Sequence, residues 1–157
     1  MEIKDKELHR IATTTLVYKV NDGKDGFVYL ITKRALHKKV HAGKWTVPGG
    51  GLSVDDYINE KPSTADGKQW YGAVENALRR EIKEEVNLEK SKPEFLVDLT
   101  FIRPDGIPVL VLSYFAQYIS GEVVLDVDAT EFVWVTLEEA KNYDLIDGIW
   151  DEIRQVD

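Results

Sequence analysis

The chain has 157 residues, 20 of them basic and 28 acidic, for a formal charge of −8. That balance excludes a protein that grips a nucleic-acid duplex through its phosphates, and an anionic ligand would need a recruited cation. The absence of cysteine excludes disulfides, thiolate metal sites and thiol nucleophiles, and the length suits one domain, 1–157, with a real core.

The first ten residues, MEIKDKELHR, lack the apolar core of a signal peptide, and no stretch approaches the apolar length that spans a bilayer. No membrane partner and a soluble, cytoplasmic protein are therefore expected. IATTTLVYKV (11–20) and FVYLITKR (27–34) are rich in β-branched and aromatic residues and flank the turn chemistry of NDGKDG, which predicts a hairpin. GKWTVPGGG follows, an extended piece broken by Pro48 and consecutive glycines. Residues 52–69 are polar, with Pro62 and Gly67, and read as a long irregular connection, a lid or binding loop. A helix is expected over 72–86. PEFLVDLTFIR and IPVLVLSYFAQYIS, split by Pro104, Asp105 and Gly106, predict a second hairpin, and TEFVWV a further strand. Thr136 with Glu139 three residues on is a capping-box pattern, and LIDGIWDEIRQ reads as a terminal amphipathic helix. One long helix among many strands suggests a mixed sheet with helices on its faces.

RREIKEEVNL (79–88) poses a problem of charge. Like-charged pairs three or four apart on a helix each cost roughly 0.2–0.5 kcal/mol. At about 100° per residue, Val74, Leu78, Ile82 and Val86 form one apolar stripe. Measured from Glu81, Glu84 falls at about −60° and Glu85 at about +40°, toward that stripe. A carboxylate directed there must be neutralised, paired or metal-bound. One arginine, Arg80, cannot balance three carboxylates, whereas Mg²⁺ combines carboxylates with waters and substrate phosphates. Ordinary surface salt bridges to Arg79, Arg80 and Lys83 are the alternative.

Arg80-Glu81-Ile82-Lys83-Glu84-Glu85-Val86-Asn87-Leu88 resembles the second half of the Nudix box, and WTVPGGG (45–51) resembles the strand end and glycine turn of MutT-like Nudix hydrolases. The resemblance implies an α+β fold, a Nudix-type α/β/α sandwich with a mixed β-sheet. It implies hydrolysis of a pyrophosphate linkage in a nucleoside diphosphate derivative or nucleoside triphosphate. It also implies Mg²⁺, with Mn²⁺ as the alternative, held by Glu81, Glu84 and Glu85 and by a glycine carbonyl, assigned to Gly49. The same glutamates are the catalytic candidates. One of them, or an acid outside the box such as Asp128 or Glu131, would serve as general base. Arg34, Gly50 and Arg80 are the substrate-binding candidates.

Two departures stand out. Gly72 occupies the place of the box's first glutamate, after a loop much longer than usual, and Asn87 replaces the helix-terminating glycine, a substitution the left-handed conformation tolerates. The loss at Gly72 motivates a second reading, a non-catalytic nucleotide-sensing module of the same fold. An isoprenoid diphosphate isomerase shares the architecture but would need a cysteine. Trp45 is expected to pack on the sheet, and Trp70 and Tyr71 to staple the long loop or stack on a base. His9, His37 and His41 show no metal-ligand spacing. Exposed strand edges in such a sheet leave a homodimer open.

Overall fold

The computed structural model describes residues 2–3 and 5–157. Its centre is β1 (Arg10–Val20), which pairs antiparallel with β2 (Phe27–Arg34) only over Tyr18–Val20 and Phe27–Tyr29. The expected hairpin forms, but most of β1 runs parallel to β7 (Pro108–Ser120), from Arg10 opposite Val109 to Tyr18 opposite Gln117. On its other edge β1 carries β4 (Gly49–Gly51), with Ala12, Thr13 and Thr14 opposite Gly51, Gly50 and Gly49. β2 also pairs with β3 (Trp45–Thr46) and β8 (Ala129–Val135), and β7 with β5 (Glu89–Lys90) and β6 (Glu94–Ile102). The result is one mixed sheet of eight strands.

Side chains alternate across a strand, so neighbours in β1 and β2 feed different layers. Val17 and Leu30 pack with Ile82, Val86 and Leu88 under α1 (Ala73–Val86). Leu16, Tyr29 and Ile31 pack with Ala140, Ile149 and Ile153 under α2 (Leu137–Ala140) and α3 (Ile149–Val156). Helices thus cover both faces, the expected α/β/α sandwich. Trp45 is buried edge-on against Tyr143, with ring centroids 4.9 Å apart.

The stripe expected on α1 is inward, with Leu78, Ile82 and Val86 buried. Asn87 ends the helix at φ 58°, ψ 34°, the left-handed conformation its amide side chain tolerates. Thr136 and Glu139 form both bonds of the capping box that opens α2. The terminal helix starts only at Ile149, because Gly148, at φ 92°, turns the chain just before it. The 52–72 connection has structure of its own: a single 3-10 turn, Val54–Asp56, opened by a Ser53/Asp56 capping box. Trp70 donates its indole N–H to the Glu60 carbonyl at 2.9 Å and tilts against Tyr57, so it staples the loop. Tyr71 is exposed.

Candidate active site

β4 is a ribbon without side chains, and α1 lies along it. Pairing with β1 alternates, so the Gly49 N–H and the Gly51 carbonyl both point away from β1 and toward α1. The Gly49 N–H donates to Glu85 Oε2 at 2.9 Å, and the Gly51 carbonyl accepts from Arg80 at 3.2 Å. Gly50 is bare for a reason: a Cβ there would collide with the Glu81 carboxylate. The missing side chain therefore admits Glu81, which is the more enclosed of the two at 8% exposure. The helical wheel had singled out Glu85 as the inward carboxylate. Both approach the ribbon, and the seat for Glu81 depends on Gly50, far upstream of the helix in sequence, which no wheel displays.

Burial pushes the Glu85 carboxyl up to about 8; the Gly49 N–H opposes this, and the nearby charges of Glu81, Asp126 and Asp128 reinforce it. Burial also raises Glu81, against the pull of Arg80. Glu84, the third expected ligand, is exposed and turned to Arg80, at 3.2 Å.

Arg80, expected to bind substrate, is fully occupied by the protein. Its Nε and one terminal nitrogen meet the two Asp56 oxygens, the second at 3.1 Å; that nitrogen also meets the Gly51 carbonyl, and the other meets Glu81 at 2.8 Å and Glu84. A guanidinium has five N–H donors, and these partners use them all. These contacts seat α1 against the turn at Asp56 and against the ribbon. The anchor of Arg80, Asp56, was missed by sequence reasoning. The Asp56 side chain is 1% exposed, takes a further bond from the Ser53 N–H at 2.8 Å, and is held below the usual carboxylate range by Arg80, against burial. The Ser53-x-x-Asp56 spacing was the available signal.

Arg34, the other cationic substrate-binding candidate, lies where the charges of Glu85 and Asp128 act on it. Its Nε donates to the Val40 carbonyl at 3.0 Å; burial lowers its pKa, and the charges of Glu85 and Asp128 oppose that. The two acids weighed outside the box are ion-paired: Asp128 with Lys38 at 2.7 Å and with His37 at 3.2 Å, Glu131 with Lys33 at 2.7 Å. Asp126, which sequence reasoning passed over, lies near Glu85 and accepts from the Asp128 N–H. A cleft of about 690 Å³ on another flank of α1 includes Arg80 and Glu84 but neither Glu81, Glu85 nor a glycine of β4.

A family model for the NUDIX domain matches residues 10–155. The chain belongs to the NUDIX family. Nucleoside triphosphatase NudI of Klebsiella pneumoniae (strain 342) is 30% identical over 127 residues, 74% of this chain and 79% of the relative. The crystal structure of MutT NUDIX hydrolase from Burkholderia pseudomallei superimposes with TM-score 0.70 at 23% identity, over 96% of this chain and 100% of that one. The NUDIX domain of Shewanella oneidensis NrtR, solved with ADP ribose, gives TM-score 0.71 at 14% identity, covering 96% and 88%. The chain is a NUDIX-type pyrophosphohydrolase, of the class that cleaves pyrophosphate linkages in nucleoside derivatives.

NUDIX enzymes use divalent metal ions. Among the described residues no three Asp, Glu, His or Cys side chains stand together as a ready metal site. Two of the three glutamates, Glu81 and Glu84, are ion-paired with Arg80 instead. The donor chemistry nonetheless fits a hard cation. Glu81 and Glu85 are carboxylates raised by burial and by neighbouring negative charge, and a divalent ion would relieve that repulsion. Among the described residues no helix is long and apolar enough to cross a membrane.

Proposed function

We propose that residues 1–157 form a single hydrolase domain that cleaves a pyrophosphate linkage in a nucleoside triphosphate or nucleoside diphosphate derivative, with Mg²⁺ or Mn²⁺. The observation that carries the reading is the approach of Glu81 and Glu85 to one glycine ribbon, with the Glu85 carboxyl lifted to about 8. Glu81, Glu84 and Glu85 would hold the ion together with the Gly49 carbonyl, which points away from β1 on the same edge. When bound, the ion supplies charge neutralisation and a more acidic attacking water.

The remaining work falls to the chain. The Gly49 N–H fixes Glu85, Gly50 leaves room for Glu81 and for close approach of substrate, and Arg34 pairs with a phosphate oxygen as the anhydride bond lengthens. A carboxylate oxygen not engaged by the cation would accept the proton of the attacking water; Asp126, whose charge acts on Glu85, is a second candidate for that task. The reading includes a cytoplasmic location and a homodimer. β6 pairs with β7 alone and exposes Phe95, Leu99, Phe101 and Ile102, so its edge is where a second copy would add.

Incubation with Mg²⁺ and a panel of nucleoside triphosphates and nucleoside diphosphate derivatives, with products read by mass, tests the activity. Cleavage at a phosphoanhydride that stops on chelation is expected. One observation favours the sensing alternative: Arg80 engages two of the three glutamates. Tight binding without turnover in the same panel would select it.

A further inference from the structure

Arg10 stands apart from the other arginines of this chain. Among the described residues the arginines at 34, 79, 80, 103 and 154 each donate to a protein acceptor, whereas Arg10 has neither a side-chain hydrogen bond nor an ion pair. It is exposed, in a protein with 28 acidic residues to choose from. It is also seated. Its guanidinium lies against Gly51 where a side chain would begin, so that a Cβ at residue 51 would come within 2.5 Å of one terminal nitrogen and 3.1 Å of Cζ.

Gly50 and Gly51 are consecutive in a strand, so their bare sides face opposite ways. Gly50 turns its bare side to Glu81, and Gly51 turns its own to Arg10. Only the thickness of one backbone separates the carboxylate side from a free guanidinium. The ribbon's outer edge carries the Gly51 N–H as a further donor, since it points away from β1 with the Gly51 carbonyl.

We propose that Arg10 is a substrate-binding residue that takes a third phosphate, and that it makes this site select nucleoside triphosphates over nucleoside diphosphate derivatives. The inference rests on the hydrolase reading for the location of the site and narrows its substrate class. Two phosphates joined by the scissile anhydride are accommodated at the carboxylates and their cation. A third phosphate lies one anhydride bridge further along, far enough to cross the ribbon's edge and meet Arg10. A guanidinium matches phosphate geometry with paired N–H donors, and that of Arg10 has no protein acceptor to give up among the described residues. A diphosphate derivative carries no group of that charge at that distance, so Arg10 gives it nothing.

The test compares Arg10→Ala, Arg10→Lys and Gly51→Ala with the unaltered protein. Gly51→Ala is informative because the obstructed atom is the mobile end of a side chain and Gly51 has no positive φ, so the methyl group displaces Arg10 without damaging the strand. Affinity is measured by calorimetry, with Mg²⁺, for a methylene-bridged nucleoside triphosphate and for the diphosphate of the same nucleoside. Arg10→Ala and Gly51→Ala are expected to weaken the triphosphate about tenfold or more and the diphosphate less than about twofold, with Arg10→Lys between. Thermal melts confirm that each variant is folded. Equal weakening of both ligands, no weakening of either, or an unaltered protein that binds no triphosphate overturns the proposal. Turnover of the unaltered protein is read separately by mass. Arg10-dependent triphosphate binding without cleavage sinks the hydrolase reading and leaves this one standing.

Discussion

Gly49, Gly50 and Gly51 are adjacent, yet a methyl group would meet something different at each. At Gly49 it strikes the Thr13 carbonyl and Thr14, backbone that cannot move aside; at Gly50 it strikes the Glu81 carboxylate. Gly49→Ala is therefore expected to destabilise the fold by about 2 kcal/mol, as overpacking does, measured by urea unfolding. Gly50→Ala should unfold near the unaltered midpoint but lose activity, because Glu81 rather than the strand gives way. An equal loss of stability in both variants would contradict this division. Glu85 is the carboxylate fixed by backbone, through the Gly49 N–H. Glu85→Gln keeps the shape and can still accept that bond, but removes the charge. Turnover on a confirmed substrate should fall by about two orders of magnitude or more with the melting temperature held or raised; unchanged turnover would remove Glu85 from the site.

The 52–72 segment acts on α1 through one buried ion pair. Gly72 leaves the start of α1 without a side-chain cap, and the 3-10 turn supplies instead the Asp56 carboxylate that holds Arg80. Asp56 also accepts from Asn76 through its carbonyl, tying the turn to the first part of the helix. Removing one partner of such a pair strands the other, so Asp56→Ala should cost about 3 kcal/mol, read from denaturant midpoints. It should also free Arg80 to bind Glu81 and Glu84 more closely, lowering activity beyond what the stability loss explains. Because Arg80 lowers the Asp56 pKa, this stabilisation is complete above the ordinary aspartate range and is lost as pH falls through the depressed value. The sequence pattern revealed elements whose cause is local: the α1 stripe, the left-handed Asn87, the Thr136 capping box and both hairpins. It concealed what depends on distant partners. Nothing within β1 announces the long parallel pairing with β7, and nothing in RREIKEEVNL announces that Asp56 of a loop claims Arg80. The three clustered glutamates of α1 were legible as residue types, while their orientation toward Arg80 and the glycines was not.

Across the whole chain the acids divide into two sets with opposite effects on stability. Asp56 and Asp128 are lowered by cationic partners, so their contribution is lost on acidification. Glu81, Glu85 and Glu152 are raised, chiefly by burial, so the folded state binds protons that the unfolded state has released. Stability then falls as pH rises above the unfolded glutamate value, 4.5, toward each raised value. Glu152 isolates this effect away from the candidate metal ligands. It projects from α3 onto the opposite face of the sheet, is 6% exposed, and accepts one bond, from Ser113 Oγ at 3.3 Å. Ser113 Oγ is itself 2.9 Å from Thr14 Oγ1, so the hydroxyl pair solvates the carboxyl only in part. In Glu152→Gln the charge never forms, while an amide oxygen still accepts from Ser113. With a chelator present, melting temperatures of the two proteins should therefore lie close together near pH 5 and diverge as pH rises, the unaltered protein falling faster. Glu81 and Glu85 titrate in both proteins and cancel in the comparison. Parallel curves would mean that Glu152 is not penalised for its charge, and that water reaches it between α3 and β7.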